Sequence, residues 1–212
     1  MRDLGTPVLD NHLHLDRRQG RGIEAVKDFA RSGGTHLLVV NKPSWHLDVE
    51  VEEGDDFRAV FEETIATVEA ASAELPGRAW PVLGVHPALV SRLVDDRGFD
   101  VADARDLMTA GIEVASEYAA DGPAVAIKSG RPHYDVAEEV WDASNSVLRR
   151  ALQIASESGV AVQLHTEQTE DLTEVAGWAE DAGLPPKRVV KHYSNGVTEG
   201  VTPSVMSRED YL

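Results

Sequence analysis

Residues 8–16 read "VLDNHLHLD". An apolar run ends in two histidines, His12 and His14, with one leucine between them and Asp10 and Asp16 on either side. In an extended strand successive side chains alternate faces, so residues 12 and 14 point one way and Leu13 the other. At a strand rise near 3.3 Å per residue the two imidazoles stand about 7 Å apart on one face, close enough to clasp one cation. Imidazole suits zinc and other first-row transition metals. Two solvated histidines at a strand end would look the same, so the rest of the chain has to decide.

Outward from that stretch, apolar and amphipathic runs alternate. "GIEAVKDFARSGG" puts Ile23, Val26, Phe29 and Ala30 on one helical face and stops at two glycines. The segments "THLLVVNK", "WPVLGVHP", "PAVAIKSG", "VAVQLHTE" and "KRVVKHYS" read as five further strands, with helical runs between most of them and "GVTPSV" as a possible seventh strand. Near-continuous apolar strands alternating with helices indicate a parallel sheet buried on both faces. With no linker, repeat or low-complexity stretch, residues 1–212 read as one domain.

The histidines separate the two architectures that fit. Five of the eight fall at or near C-terminal strand ends: His12 and His14 on the first, His86 on the third, His165 on the fifth and His192 on the sixth. In a TIM-type (β/α)₈ barrel those ends converge on one mouth, where active sites are built. In an open sheet they would be strung along an edge. The expectation is a barrel with a metal site at its mouth.

Composition narrows the chemistry. There is no cysteine, which removes thiol nucleophiles and cysteine zinc sites. No signal peptide or membrane span is visible, so the expected setting is the cytoplasm, with no membrane partner. A net charge of -17, with clusters such as "EVEEGDD", reads as a solvated acidic surface. It opposes long-range attraction of nucleic acid, so stable nucleic-acid binding is not expected and the substrate is a small molecule or a transiently held nucleic acid.

The fourth strand adds Lys128 in "AVAIKSGRPHY". Burying an ammonium is costly. Three readings stay open: an ion-pair partner, a contact for an anionic substrate, or a neutral amine that takes up carbon dioxide and becomes a carbamate whose oxygens bridge two metals.

In "DNHLHLD", "GVHP", "VQLHTE" and "VVKHYS" the sequence resembles the TatD-related metal-dependent hydrolases of the amidohydrolase superfamily. The resemblance covers nearly the whole chain. It implies a (β/α)₈ barrel holding one or two divalent metals (zinc, manganese or magnesium) through His12, His14, Lys128, His165 and His192. It also implies hydrolysis of phosphodiester, as in a DNase, or of other ester and amide bonds by a metal-activated water. His86 is implied as a substrate contact.

Three departures accompany the resemblance. TatD-like enzymes carry glutamate on strand four, whereas Lys128 is similar to the carboxylated lysine of phosphotriesterase-like members. With the acidic charge, that pulls towards a small ester, lactone or amide as substrate, and a phosphotriesterase- or lactonase-like hydrolase of small molecules is the alternative to the DNase-type reading. "NGVTEG" is too short for the crossover helix that normally joins parallel strands six and seven. The chain also reaches "SREDYL" without an eighth strand or its expected aspartate, and such barrels need about 250 residues. The expectation is therefore a C-terminally truncated barrel with six or seven strands, in which Asp210 is a poor substitute and no catalytic residue is assigned. An inactive, metal-binding remnant is the non-catalytic alternative. A seven-stranded phosphoesterase of the polymerase-and-histidinol-phosphatase type is weaker, because no histidine follows His192.

Smaller expectations attach to the loops. Arg131 and His133, after strand four, are candidate substrate contacts, with a salt bridge as the rival role for Arg131. His46 beside Trp45 is a candidate pocket wall. His36 lies at the opposite strand end and reads as structural. Asp10 and Asp16 read as supports for ligand imidazoles or as solvated groups.

Overall fold

A computed structural model describes residues 6–75, 78–194 and 196–205. Seven strands form one sheet in sequence order: β1 (Leu9–Leu13), β2 (His36–Val40), β3 (Ala79–Gly84), β4 (Ala126–Gly130), β5 (Ala161–His165), β6 (Val189–Ser194) and β7 (Thr202–Val205). Every neighbouring pair is parallel. The larger helices are α1 (Ile23–Arg31), α2 (Phe57–Glu74), α4 (Val101–Ala120), α5 (Glu138–Glu157) and α6 (Thr173–Asp181). A three-residue turn, α3 (Leu89–Ser91), runs into a π-helical turn at Arg92–Asp96, which the apolar periodicity of the sequence does not reveal. The result is a nearly closed TIM-type barrel of seven strands, open among the described residues between β1 and β7. Asp210 lies outside the described residues.

Strand alternation sorts the side chains as expected. Leu13, Leu37 and Val39 pack with Val26, Val68 and Ala71 of α1 and α2. Leu83, Ile127, Val162, Leu164 and Val189 join α4, α5 and α6 in the main core. The opposite parity fills the barrel: Val40, Val82 and Ala126 form a small apolar floor with Leu38 and Ala161 against it. Above that floor the same inward parity brings His12, Lys128, Gln163, His165 and His192 to the mouth.

Two backbone contacts fix the mouth side of the sheet. The Asn41 side chain accepts from the Gly84 N–H at 2.9 Å and donates to the Gly84 carbonyl at 3.0 Å, extending the β2–β3 pairing by one side chain. At the β4 end, a Cβ on Gly130 would stand 1.7 Å from the His165 carbonyl oxygen. Only glycine lets β4 approach β5 this closely, and the Arg131 N–H then donates to that carbonyl at 2.8 Å.

Among its described residues the short β6–β7 connection forms no crossover helix, yet β7 pairs parallel to β6. The loop leans on the segment before α6 instead. Asp171 and Glu199 make an isolated parallel bridge, and the Leu172 N–H donates to the Glu199 carbonyl at 3.1 Å. Tyr193 takes a left-handed φ of 59° where the chain leaves β6, a costly conformation for a non-glycine residue.

Candidate metal centre

Five strands contribute to one histidine cluster. The ring of His12 lies 5.0 Å from that of His14 and stacks on His192 at 3.9 Å. His192 lies 4.8 Å from His165, which in turn lies 4.6 Å from His86 and 5.0 Å from His133. Lys128 is 1% exposed in their midst and makes no ion pair among the described residues.

The hydrogen bonds assign the tautomers of three rings. His12 Nδ1 faces the Gln163 side-chain oxygen at 2.7 Å, and the Gln163 amide nitrogen donates to the Asn11 carbonyl. An amide oxygen only accepts, so His12 carries its proton on Nδ1 and keeps a lone pair on Nε2. His14 Nδ1 lies 2.9 Å from the Val40 carbonyl, which imposes the same tautomer. Both rings thus offer Nε2 to a cation, each oriented through its other nitrogen. His86 is the reverse: its Nδ1 accepts from the Ala88 N–H at 3.1 Å, so the neutral ring holds its proton on Nε2 and acts as a hydrogen-bond donor.

His165 is engaged on both nitrogens, with His192 Nε2 2.7 Å from its Nδ1 and His133 Nδ1 2.9 Å from its Nε2. Among the described residues no three His, Asp or Glu side chains stand ready-made around one cation position. The donor set still fits a divalent metal by its chemistry. His12 and His14 offer lone pairs as placed, and His165 and His192 would offer theirs by exchanging the bond between their rings for bonds to a metal.

Burial, and next the charge of Lys128, push His12 and His165 down to about 3. Desolvation likewise brings His14 to about 4, and His86 and His192 are lowered as well. Burial alone lowers the Lys128 amine to about 7. The cluster is therefore a set of neutral nitrogen donors around an amine that loses its proton near neutrality.

That neutrality has a cost in acid. A histidine whose folded pKa is depressed contributes nothing adverse above about 6.5, and it destabilises the fold as pH falls from there towards its folded value. His12 and His165 alone give a slope of about 3 kcal/mol per pH unit, against a typical total stability of about 5–15 kcal/mol. Asp16, held well below the carboxylate range by Lys42 and two backbone N–H groups, acts only in a lower window. Urea unfolding in chelator should therefore show a marked fall in midpoint between pH 7 and pH 5, flattened in a His12→Asn/His165→Asn variant. Equal midpoints at the two pH values would refute this.

The loop residues divide. Arg131 is 4% exposed. Its guanidinium pairs with Glu167 at 2.5 Å and Glu174 at 3.4 Å, donates to Thr166 at 3.0 Å, and lies over the Trp141 ring at 4.7 Å. These bonds occupy the fork expected to hold substrate, so Arg131 clamps the β4 and β5 loops, the salt-bridge role in a buried form. His133 is exposed at the rim. Trp45 stands edge-on to His86 at 5.7 Å, and exposed His46 packs against Trp45. His36 stacks on Trp80 at the far end. Asp10 accepts from the His12 N–H at 3.1 Å, and Asp16 pairs with Lys42 to hold the loop after β1. Sequence reasoning missed Gln163, although it shares the inward parity of His165 two residues on.

The sequence matches the family of TatD related DNases over residues 9–207. The chain belongs to that family. A relative described as an uncharacterized protein of Methanocaldococcus jannaschii is 34% identical over an alignment 211 residues long that covers 95% of this chain and 72% of that protein. Among solved structures, a TatD homolog of Escherichia coli K12 superposes with a TM-score of 0.55 at 20% identity, over 88% of this chain and 60% of that one. A mutant phosphotriesterase-like lactonase of Deinococcus radiodurans gives 0.54 at 14% identity, over 89% and 59%. This TatD-family chain thus spans about 60% of the length of those two structures, and the likeness to them is one of fold. Among its described residues no helix is long and apolar enough to cross a membrane.

Proposed function

We propose that this TatD-family chain is a metal-dependent hydrolase of small-molecule esters, lactones or phosphoesters. The observation that carries the reading is the pair of neighbouring imidazoles, His12 and His14, 5.0 Å apart, each with its Nδ1–H spent on an oxygen acceptor and its Nε2 left with a lone pair. His12, His14, His165, His192 and Lys128 would hold one or two divalent metals. A metal bound there supplies Lewis acidity and a water of lowered pKa. His86 donates Nε2–H to a substrate oxygen, and His133 lines the rim. Lys128, an amine neutral near pH 7, is suited to reaction with carbon dioxide. Its nitrogen bonds the carbon, one C=O π pair moves onto oxygen, an N–H proton leaves to water, and the neutral amine becomes a carbamate with one negative charge shared by two oxygens.

The family description favours a second reading, hydrolysis of DNA. A net charge of -17 weighs against it, since polyanion affinity rests on neutralising phosphates with lysine and arginine. The test is paired assays with zinc or manganese and bicarbonate, on lactones and aryl phosphoesters against single-stranded and duplex DNA. Metal-dependent turnover of the small substrates with intact DNA is the expected result. Cleavage of DNA alone favours the second reading, and no turnover of either with metal bound favours a non-catalytic metal binder.

A further inference from the structure

A cleft of about 230 Å³ opens on the rim between the loops after β2 and β3. Trp45, Val49, Val51, Leu89, Arg92 and Arg97 line it together with two carboxylates, Asp48 and the Glu50 that pairs with Arg97. One of its walls is already part of the mouth, because Trp45 meets His86 edge-on at 5.7 Å and His86 lies 4.6 Å from His165. Trp45 is therefore the side chain that the cleft shares with the histidine cluster.

The two arginines are not equivalent. Arg97 is committed to the fold: it donates to the Val51 carbonyl at 2.7 Å, pairs with Glu50 at 3.4 Å and covers Phe99 at 4.9 Å. Arg92 lies over the Trp45 ring at 5.0 Å, and its one ion-pair contact among the described residues, Asp96, is at 4.0 Å. Stacking on the indole orients the guanidinium plane and leaves its N–H edge for another acceptor. Arg92 opens the π-helical turn Arg92–Asp96, an irregularity of a kind frequent at functional sites. The apolar side chains of Leu89, Val49 and Val51 complete a surface suited to one aromatic ring. A buried cavity of about 150 Å³ holds benzene, so the space is sufficient.

We infer that this cleft is a substrate subsite for a planar group bearing a carboxylate, with Trp45 as its wall and Arg92 as its anion contact. The inference rests on the hydrolase reading and names the class of ester it takes: an aryl ester whose ring carries an anion. Arg92 fixes specificity here through a charge-assisted, forked hydrogen bond, while the chemistry stays with the histidine cluster.

Calorimetric titration of chelator-treated protein with benzoate and with benzyl alcohol tests the binding. The wild-type chain is expected to prefer benzoate. Arg92→Leu should cut that preference about tenfold, the value of one charge-assisted hydrogen bond, whereas Trp45→Leu should weaken both probes. Arg92 has a half-exposed side chain, and a thermal melt of Arg92→Leu matching wild type verifies its fold. Benzoate binding unchanged in Arg92→Leu, or no binding of either probe, overturns the subsite. Turnover separates the two readings. In metal-loaded protein Arg92→Leu should raise KM for 4-carboxyphenyl acetate relative to phenyl acetate, with the kcat ratio unaltered. Hydrolysis of both esters with an unaltered KM ratio overturns the subsite and leaves the hydrolase reading standing. Probe binding with no hydrolysis of any ester overturns the hydrolase reading and leaves the anion cleft standing.

Discussion

Replacing His12 and His14 together with alanine is expected to weaken zinc binding by about four orders of magnitude. Four-ligand zinc sites bind with roughly 10–16 kcal/mol, so each ligand accounts for about 3 kcal/mol, or about a hundredfold in affinity. The estimate applies to these two residues because their tautomers are set before any metal arrives, with each Nδ1–H spent on an oxygen that can only accept. Gln163→Leu is likewise expected to cost about 10–100-fold, the usual effect of removing a group that orients a ligand imidazole. Competition against a chromophoric chelator measures both, with His46→Ala on the exposed rim as the control. Wild-type affinity in the double variant would refute the assignment of the metal to this mouth.

The barrel was legible because its signal is repeated. Each strand carries the same parity, so His12, His165 and His192 could be placed on the inward face from local alternation alone, and helices between most strands implied parallel pairing. What escaped sequence reasoning depends on partners distant in the chain. Gln163 gains its role from Asn11 and His12, about 150 residues away, and nothing in "VQLHTE" announces them. Arg131 is turned from substrate by Glu167, Glu174 and two tryptophans that only the packing of α5 and α6 brings to it. The β6–β7 pairing defied a rule about connection length, because the bridge at Asp171 and Glu199 supports the loop where a helix normally would. The π-helical turn that presents Arg92 has no period to read.

Lys128 is where stability and activity pull apart. Its amine, lowered from 10.5 to about 7 by burial alone, costs the fold free energy whenever it is protonated. The sign follows from linkage. Between the folded and unfolded pKa values the unfolded chain binds the extra proton, so stability rises as pH climbs from about 7 to 10.5, and the full penalty applies below about 7. Methionine is similar in length and uncharged. Lys128→Met is therefore expected to stabilise the chain by on the order of 3 kcal/mol at pH 6, less than the roughly 5 kcal/mol that the shift itself represents, because methionine gains little from polar imidazole neighbours. At pH 10 the gain should vanish. Urea unfolding at the two pH values, in chelator, reads this difference directly. The same variant should lose hydrolysis and any bicarbonate dependence, since the nitrogen that would carry the carbamate is gone. A chain that is more stable and inactive is the mark of a buried group retained for chemistry rather than for folding. A Lys128→Met variant less stable than wild type at pH 6 would mean that the ammonium has found compensating partners, and the case for a neutral, carboxylatable amine would fall with it.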